Sequence, residues 1–497
     1  MKFHILTLGC PKNEVDSEGM EGLLMEAGHS PVDRFREADL VVVNTCAFID
    51  AARAEALDLL REVAGKKRRG SYLVAAGCLA QREGQALVQE VPGVDAVLGC
   101  RNWTDITKIA ESFQQRAQRR GGACPLPPGG EAPRPTAPNR RGDSARADIP
   151  VLVGDELQLG DVPRNPKGAS AYLKISDGCD ASCSFCIIPR IKGPYRSKPA
   201  DRLLAEARQL VERGVQEIVL VGQDTTAYGL DRGERDGLAH LLARFEETVP
   251  DLRWLRVMYL YPQRITPRLV ATMAEMPQLC KYLDIPLQHS HPDVLRRMGR
   301  PDGDVSSLIL RLREAIPEVA VRTTFIVGFP GETEDEHGHL LRTIEEAGFD
   351  RVGVFPFSPQ EGTAAAALPG QLPEDVKQRR WREAMETAQR VSLRRNRLMV
   401  GRELAVLVEG VGKGSRRQAL TVAGRSYRDA PEVDGLVFFS GKARVGEMVT
   451  VRITSAMEYD LVGELVRRGE RERVLTMERR GDGRGRAADT CTVRGIG

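Results

Sequence analysis

Three short apolar segments in the first eighty residues each run directly into a cysteine. The segments FHILTLGC, DLVVVNTC and SYLVAAGC end at Cys10, Cys46 and Cys78. Each interval is long enough for a strand, a helix and a return to the next strand, and residues 16–28 and 49–64 have helix-like patterns. We therefore predict a β-α-β-α-β unit built on a parallel sheet.

The three cysteines are expected to gather at one edge of this sheet. The carboxyl ends of parallel strands meet there, and strands about 4.8 Å apart would bring the thiols within roughly 10 Å of one another. Three thiolates suit an iron–sulfur cluster with one open iron. The alternatives are a zinc site, which would need a fourth ligand, and three independently buried cysteines.

A second region of alternating strands and helices lies between residues 171 and 396. This pattern predicts an open or closed (β/α) barrel. Its six strand-like segments are AYLKIS, EIVLV (217–221), LRVMYL (255–260), KYLDIP (281–286), VRTTFIV (321–327) and RVGVF (351–355).

A compact cysteine motif follows the first strand of this predicted barrel. Cys179, Cys183 and Cys186 stand where the active-site loops of such barrels belong. Three close thiolates favour a [4Fe–4S] cluster whose fourth iron is open to a small molecule. A zinc knuckle without its fourth ligand and buried structural cysteines are the alternatives.

The CxxxCxxC motif in this place resembles the radical S-adenosylmethionine superfamily. The resemblance implies that the amino and carboxylate groups of S-adenosylmethionine bind the open iron. It also implies that cleavage of the cofactor yields a 5′-deoxyadenosyl radical, which abstracts hydrogen from unactivated carbon. The cofactor-binding residues that it implies are Phe185 beside the adenine, Gly222 and Gln223 at the amino group, and Ile326 and Gly328 on the adenine side. Simple packing is the alternative role for Phe185.

The two cysteine groups together resemble the methylthiotransferase family. The motifs GCPKNEVDSE (9–18) and GQDTTAYGLD (222–231) are similar to its RimO branch, although Glu14 stands where that branch usually has Leu. This branch modifies an aspartate of a small-subunit ribosomal protein, number twelve in the usual naming, whereas the MiaB-like, tRNA-modifying branch typically shows GCQMN and QNVN. The resemblance implies two [4Fe–4S] clusters, S-adenosyl-L-methionine as radical source and methyl donor, and a reductant protein such as flavodoxin or ferredoxin.

The resemblance and the composition together predict three folded domains and two irregular segments. Short strands between Gly-rich turns predict a small all-β barrel after residue 397. Stretches rich in Pro, Gly and Arg predict a linker and a disordered tail. The expected order is an α/β methylthiotransferase domain (1–113), a linker (114–167), a radical SAM partial barrel (168–396), a TRAM barrel (397–466) and the Arg-rich tail (467–497).

The charge distribution favours a protein substrate over tRNA. The net charge is +3, and its basic excess lies in the predicted linker and tail. Residues 397–466 carry ten Lys and Arg against nine Asp and Glu. This nearly neutral balance provides little net positive charge for binding a phosphate backbone. The sequence has neither a run of about 18 apolar residues nor a leader-like start, so we expect a cytoplasmic protein without a membrane anchor. The competing hypotheses are a tRNA adenosine methylthiotransferase and a non-catalytic RNA- or ribosome-binding protein with structural metal.

Several further residues are weaker candidates. Residues 284–289 end a predicted strand beside the cofactor site, and Arg190 and Lys192 follow the cluster loop, where a cation could meet an aspartate. Solvated charge is the alternative for both cations. Two His-x-His pairs are interpreted as polar loop residues rather than metal ligands: His289 with His291, and His337 with His339. No role is assigned to Cys100, Cys124, Cys280 and Cys491.

Overall fold

The computed structural model describes residues 1–121, 149–154, 163–301, 303–412 and 421–466. These residues divide into two compact units, one up to Ser392 and one from Leu393 onward. The predicted tail, most of the predicted linker, Cys124 and Cys491 lie outside the described residues. No helix among the described residues is long and apolar enough to cross a membrane.

The first part of the larger unit is a six-stranded parallel sheet. Its strand order is β2-β1-β3-β4-β5-β6, and helices cover both faces. Strands β3 and β4 are buried along their whole length, which explains why they are nearly all apolar in sequence. The elements are β1 (Lys2–Thr7), α1 (Pro11–Glu26), β2 (Ser30–Pro31), β3 (Leu40–Thr45), α2 (Asp50–Lys66), β4 (Tyr72–Gly77), α3 (Cys78–Glu83), α4 (Gln85–Glu90), β5 (Ala96–Gly99), α5 (Ile106–Gly121) and β6 (Val151–Leu152).

The second part of the larger unit is a partial barrel of six parallel strands. Strands β11-β10-β7 and β12-β13-β14 form two three-stranded sheets that adjoin between β11 and β12, where the Leu260 N–H donates to the Asp284 carbonyl at 2.8 Å. The elements are β7 (Ser170–Lys174), β8 (Ser176–Asp177), α6 (Ile188–Lys192), β9 (Arg196–Ser197), α7 (Ala200–Glu212), β10 (Glu217–Val221), α8 (Gly237–Thr248), β11 (Trp254–Val257), α9 (Pro267–Glu275), β12 (Tyr282–Gln288), α10 (Pro292–Arg297), α11 (Val305–Ala315), β13 (Ala320–Val327), α12 (Glu334–Ala347), β14 (Arg351–Pro356) and α13 (Glu374–Arg397).

Local sequence signals define several of these helices. Helix α7 is amphipathic: Leu203, Ala207 and Leu210 are buried against the strands, as their spacing predicts. Helix α12 begins with a capping box, in which the Thr333 hydroxyl accepts from the Glu336 N–H and the Glu336 carboxylate accepts from the Thr333 N–H.

The smaller unit contains a closed five-stranded barrel in the order β15-β16-β17-β19-β18. Apolar side chains from alternate positions fill its interior, among them Val406, Val422, Val437 and Val451. Its strands are β15 (Glu403–Val411), β16 (Thr421–Ser426), β17 (Val437–Ser440), β18 (Met448–Ala456) and β19 (Leu461–Leu465). The predicted fold class, a parallel α/β domain followed by a partial barrel and a small all-β barrel, is confirmed.

The described ends of the predicted linker 114–167 are more ordered than its composition indicates. Helix α5 continues to Gly121, and the two residues of β6 pair with β5 as a sixth parallel strand. Arg164 is 2% exposed and forms ion pairs with Glu18 and Glu206, each at 2.6 Å. The linker prediction is therefore wrong at these places, because two-residue strands and single anchoring side chains leave no periodic pattern to detect.

Candidate functional site

The cysteines of both groups lie just past the carboxyl ends of strands. Cys10 follows β1 and caps α1, Cys46 follows β3, and Cys78 opens α3 directly after β4. Strands β1, β3 and β4 are neighbours in the sheet, so the edge expected from the sequence is formed. The barrel cysteines lie in the loop between β8 and α6.

Asn13 connects the three cysteine-bearing strand ends. Its side-chain NH₂ donates to the carbonyls of Leu8 and Thr45, at 2.9 and 3.0 Å. Its side-chain oxygen faces the Cys78 thiol at 3.8 Å. One buried amide thus links the loops after β1 and β3 to the start of α3. Asn13 belongs to the motif 9–18, and the sequence alone predicted no role for it.

A close backbone approach brings Cys10 and Cys46 together. Gly9 has φ +105°, and a Cβ there would lie 2.7 Å from the Cβ of Cys46, so only glycine fits. Burial raises the pKa of the Cys46 thiol, and the nearby Cys10 adds to this effect. A thiolate at this place therefore needs a positive partner, which a metal centre supplies.

A fourth cysteine lies at the same edge of the sheet. Cys100 follows β5 and is 1% exposed. Interaction between the neighbouring Cys78 and Cys100 thiols raises the pKa of Cys78 and lowers that of Cys100. The signal was present in the sequence, because DAVLGC repeats the apolar run and terminal cysteine of the other three strands.

The barrel loop holds Cys179, Cys183 and Cys186 through its backbone. The Cys179 N–H donates to the Gly193 carbonyl, and the Cys186 N–H donates to the Cys183 carbonyl, both at 3.1 Å. Burial, with the neighbouring thiols, raises the pKa of Cys186 to about 12. The Arg300 guanidinium lies 3.7 Å from the Cys183 sulfur and places positive charge beside this group.

The sulfur spacing in both groups fits an iron–sulfur cluster better than a single zinc ion. Thiolates on one tetrahedral zinc stand about 3.8 Å apart, given a Zn–S distance of about 2.3 Å. Among the described residues, the one trio of His, Cys, Asp or Glu with all ligand atoms within 4.8 Å of one another contains no cysteine. Thiolates that bind different irons of a cluster stand further apart than ligands of one ion.

Four buried charges join the N-terminal sheet domain to the barrel. The charge quartet consists of Asp16 on α1, Lys174 on β7, Asp177 on β8 and Lys192 on α6, and none of the four side chains is more than 9% exposed. Lys174 bonds to Asp16 and lies 2.7 Å from Asp177, while Lys192 lies 3.5 Å from Asp16 and 3.7 Å from Asp177. Because Asp16 follows Cys10 and Asp177 precedes Cys179, this quartet fixes one cysteine group relative to the other.

The residues expected to contact S-adenosylmethionine lie in the barrel loop and at the carboxyl ends of β10 and β13. Phe185 and Ile326 pack against the same apolar cluster as Phe329. Gly328, just past β13, has φ +74°, and a Cβ there would lie 2.5 Å from the Cγ of Lys377. Gly222 also comes directly after a strand, β10, and Gln223 beside it is half-buried. Positions past the carboxyl ends of barrel strands suit a cofactor role for these residues.

Comparisons with known families and proteins agree with this architecture. Residues 2–99 match the family described as "Uncharacterized protein family UPF0004", residues 173–344 the Radical SAM superfamily and residues 400–466 the TRAM domain. The ribosomal protein uS12 methylthiotransferase RimO of Roseiflexus sp. (strain RS-1) is 51% identical over 94% of this chain and 97% of its own. The protein of the same name from Synechococcus elongatus is 43% identical over 92% of this chain and 94% of its own.

The chain belongs to the RimO family. It is a radical S-adenosylmethionine enzyme, and its cofactors are S-adenosylmethionine and iron–sulfur clusters. Among solved structures, the radical S-adenosylmethionine methyltransferase TsrM of Kitasatospora setae superposes with a TM-score of 0.51 at 15% identity, covering 73% of this chain and 74% of its own. That likeness shows a shared fold.

In this RimO-family chain the interpretation as polar loop residues is wrong for His337 and His339, which lie in α12, whereas His289 and His291 lie in the loop between β12 and α10. His289 and His337 are buried on either side of Glu332, whose Oε1 lies 3.9 Å from His289 Nε2 and 3.5 Å from His337 Nδ1. The other carboxylate oxygen of Glu332 accepts from the N–H groups of Gly328 and Phe329 and so holds the turn after β13.

The outer histidines lie in a network that already carries positive charge. His291 belongs to the compact trio with Asp293 and Glu336. Arg296 pairs with Asp293 at 2.6 Å, and Arg297 pairs with Glu336 at 2.8 Å. Because arginines compensate both carboxylates, this trio is an ion-pair network rather than a cation site.

Lys192 does not face a substrate, contrary to the sequence-based hypothesis, and it is not solvated either. It is 1% exposed and belongs to the charge quartet. Lys12, in contrast, lies in the motif 9–18, and no role was predicted for it. It is 5% exposed, and its ammonium lies 3.5 Å from the centroid of the Tyr259 ring. A cation two residues after a candidate cluster ligand was the signal that could have identified it.

Proposed function

We propose that this chain attaches a methylthio group to the β-carbon of an aspartate of ribosomal protein uS12. The observation that carries the proposal is 51% identity across nearly the whole chain to a protein named for that activity. The two cysteine groups support it, because the reaction requires both radical generation and sulfur transfer.

Each cysteine group is assigned one [4Fe–4S] cluster in this proposal. Cys179, Cys183 and Cys186 hold the cluster that binds S-adenosylmethionine, and the cysteines at the sheet edge hold the second. The strand-end placement of the cysteines supports this assignment, and so does a spacing in which no three thiols of the described residues lie within 4.8 Å of one another. The N-terminal ligands are Cys10, Cys46 and Cys78.

The protein residues orient the reactants and exclude water in this scheme. When bound, the clusters and S-adenosylmethionine supply the hydrogen-abstracting radical, the sulfur and the methyl group. Phe185 and Ile326 shield the adenine side, Gly222 and Gln223 hold the amino group, and Gly328 allows close backbone approach. Glu332 fixes the turn that contains Gly328. Arg300 places positive charge beside the Cys183 thiolate, which favours the reduced state of a cluster held there.

The partners of the reaction are also part of the proposal. A small reductant protein such as flavodoxin or ferredoxin delivers the electrons, and the reaction takes place in the cytoplasm, where ribosomal proteins are made. The nearly neutral charge of residues 397–466 supports a protein substrate rather than tRNA.

The substrate assignment is tested by offering both substrate classes to the same enzyme. The full chain, reconstituted anaerobically with iron and sulfide, is incubated with S-adenosylmethionine, reductant and either ribosomal protein uS12 or unmodified tRNA. We expect mass spectrometry to find one methylthio group in place of hydrogen on an aspartate of the protein, and no change in the tRNA.

Two cysteine variants make the assay specific. Cys183→Ala should abolish product formation. Cys280→Ala is the control, because Cys280 is also a cysteine of the barrel but precedes β12 and so lies at the opposite ends of the barrel strands. Modification of a tRNA adenosine instead of the protein would assign the chain to the other branch of the family.

A further inference from the structure

Lys12 differs from every other buried lysine among the described residues. The others each have a carboxylate oxygen within 4 Å: Lys174 and Lys192 in the charge quartet, Lys198 with Glu206, and Lys377 with Glu374. The ammonium of Lys12 has no carboxylate within ion-pair distance in the described part of the chain; its close contact is the face of the Tyr259 ring. The Cys10 thiol and the Asp284 carboxyl act on it only from beyond bonding distance. A buried charge without a directly bonded counter-charge is costly, so this arrangement is suited to a ligand that brings one.

The Tyr259 ring is held under Lys12 by a strained backbone. Tyr259 has φ +61°, which is unusual for a residue with a side chain. Its N–H donates to Asp284 at 3.1 Å, and its carbonyl accepts from the Thr225 N–H at 3.1 Å. Gln288, at the end of the neighbouring strand, has φ +73°. Strain of this kind persists where the surroundings fix it, and it concentrates at functional sites.

The ring orients Lys12 without neutralising it. A cation–π contact attracts the ammonium through the quadrupole of the ring and places no negative charge beside it. The three N–H donors of the ammonium therefore keep their capacity for an anionic acceptor. The Lys12 ammonium can therefore bind a carboxylate, whereas Lys174 and Lys192 are already paired with carboxylates of the charge quartet.

The position of Lys12 is between the two cysteine groups. It lies two residues after Cys10, and its partner Tyr259 follows β11 of the barrel. Two residues further on, the Tyr261 ring stacks with Arg300 at 4.2 Å, and Arg300 reaches the Cys183 sulfur. These contacts connect the segment that follows Cys10 to the loop that contains Cys183.

We infer that Lys12 is a specificity-determining residue that binds the carboxylate of the substrate aspartate. The inference rests on the proposed function, because it takes the substrate to be an aspartate side chain. With the carboxylate paired to Lys12, the adjacent β-carbon is fixed between the two cysteine groups. A neutral amide in the same place would leave the ammonium without its counter-charge.

The test is a double-mutant cycle on binding to the holoenzyme. The Lys12→Met variant removes the charge at nearly constant length, and the substrate protein is prepared with its target aspartate intact or changed to asparagine. Affinities are measured anaerobically on the full chain with both clusters in place. Lys66→Met, on the exposed side of α2, is the control for loss of one positive charge.

For the wild type and Lys66→Met we expect the substrate with asparagine to bind about ten- to a hundredfold more weakly, as for loss of a hydrogen bond between charged groups. For Lys12→Met we expect the two substrates to bind equally. Lys12→Gln should give the same result, which would show that the effect comes from loss of the lysine and not from the methionine side chain that replaces it.

An unchanged aspartate-to-asparagine ratio in both Lys12 variants would overturn the inference. If iron content or the electron paramagnetic resonance signal of the N-terminal cluster changes while that ratio stays at the wild-type value, Lys12 serves the cluster and not the substrate. Product on the aspartate with the wild-type enzyme shows that the proposed function stands whatever Lys12 does. If the wild type modifies no aspartate, both the function and the inference fail.

Discussion

Loss of one carboxylate from the charge quartet should destabilise the larger unit strongly. Asp177→Asn leaves Lys174 and Lys192, both buried, facing the single carboxylate of Asp16. At an effective dielectric constant of about 20, the contacts of Asp177 at 2.7 and 3.7 Å correspond to gross attractions of about 6 and 4 kcal/mol. Asp177→Asn also removes the cost of desolvating the Asp177 carboxylate. The expected net decrease in the free energy of unfolding is therefore about 3–5 kcal/mol, the usual range for breaking a buried ion pair.

The assay is urea unfolding of the full chain followed by tryptophan fluorescence. Trp103 is a local reporter, because its ring centroid lies 5.9 Å from the Lys174 ammonium. The double variant Asp177→Asn with Lys192→Met restores neutrality, so it should be clearly less destabilised than the sum of the two single variants. Glu62→Gln, which breaks an exposed pair with Lys66, should not shift the transition measurably.

Acid provides a second test of the same quartet. Burial alone raises the pKa of Asp177, but the ammonium groups of Lys174 and Lys192 outweigh it and hold the pKa at about 2. A carboxylate with a depressed pKa contributes stability above its unfolded pKa of about 3.9, and that contribution disappears as the pH falls toward 2. The wild type should therefore lose more stability than Asp177→Asn between pH 4 and 2. Equal losses of stability by the wild type and Asp177→Asn between pH 4 and 2 would refute this account. So would a double variant whose destabilisation equals the sum of the two single variants.

Two further predictions separate the cysteine groups. Changing Cys179, Cys183 and Cys186 to Ala should remove about half of the reconstituted iron and abolish cleavage of S-adenosylmethionine, because each group is assigned one four-iron cluster; zinc in place of iron after anaerobic purification would contradict the assignment. Changing Cys10, Cys46 and Cys78 to Ala should leave cleavage of S-adenosylmethionine intact, measured as release of 5′-deoxyadenosine, while the methylthiolated product disappears. Normal product formation by that variant would show that the second cluster is not needed for the reaction.

The parallel sheet and its cysteine-bearing edge could be predicted because their signals are local. Strands β1, β3 and β4 are short apolar runs that end in a turn, and parallel pairing then places the strand ends together. The barrel follows from the same alternation. Cys100 was missed although its strand carries the same signal, since β5 has only four residues.

The charge quartet and the Lys12 site could not be predicted from such patterns. Asp16 lies 158 residues from Lys174 and 176 from Lys192, and nothing local indicates that they meet. These contacts are set by the docking of the sheet domain on the barrel, and only a structure shows that docking. The burial of His289 and His337 arises within the barrel, where both lie beside Glu332. It could not be predicted because a His-x-His pattern is equally compatible with an exposed loop.

The first two turns of α1 show how one short segment couples the two cysteine groups. Residues four apart lie on the same face of a helix. Lys12 and Asp16 form one such pair, and they meet Tyr259 and Lys174 of the barrel. Asn13 and Ser17 form the next pair, about 100° around the helix, and they bond to the strand ends of the sheet. The helix that Cys10 caps therefore has one face for the barrel and one for the sheet, so a change in its register would alter both cysteine groups together.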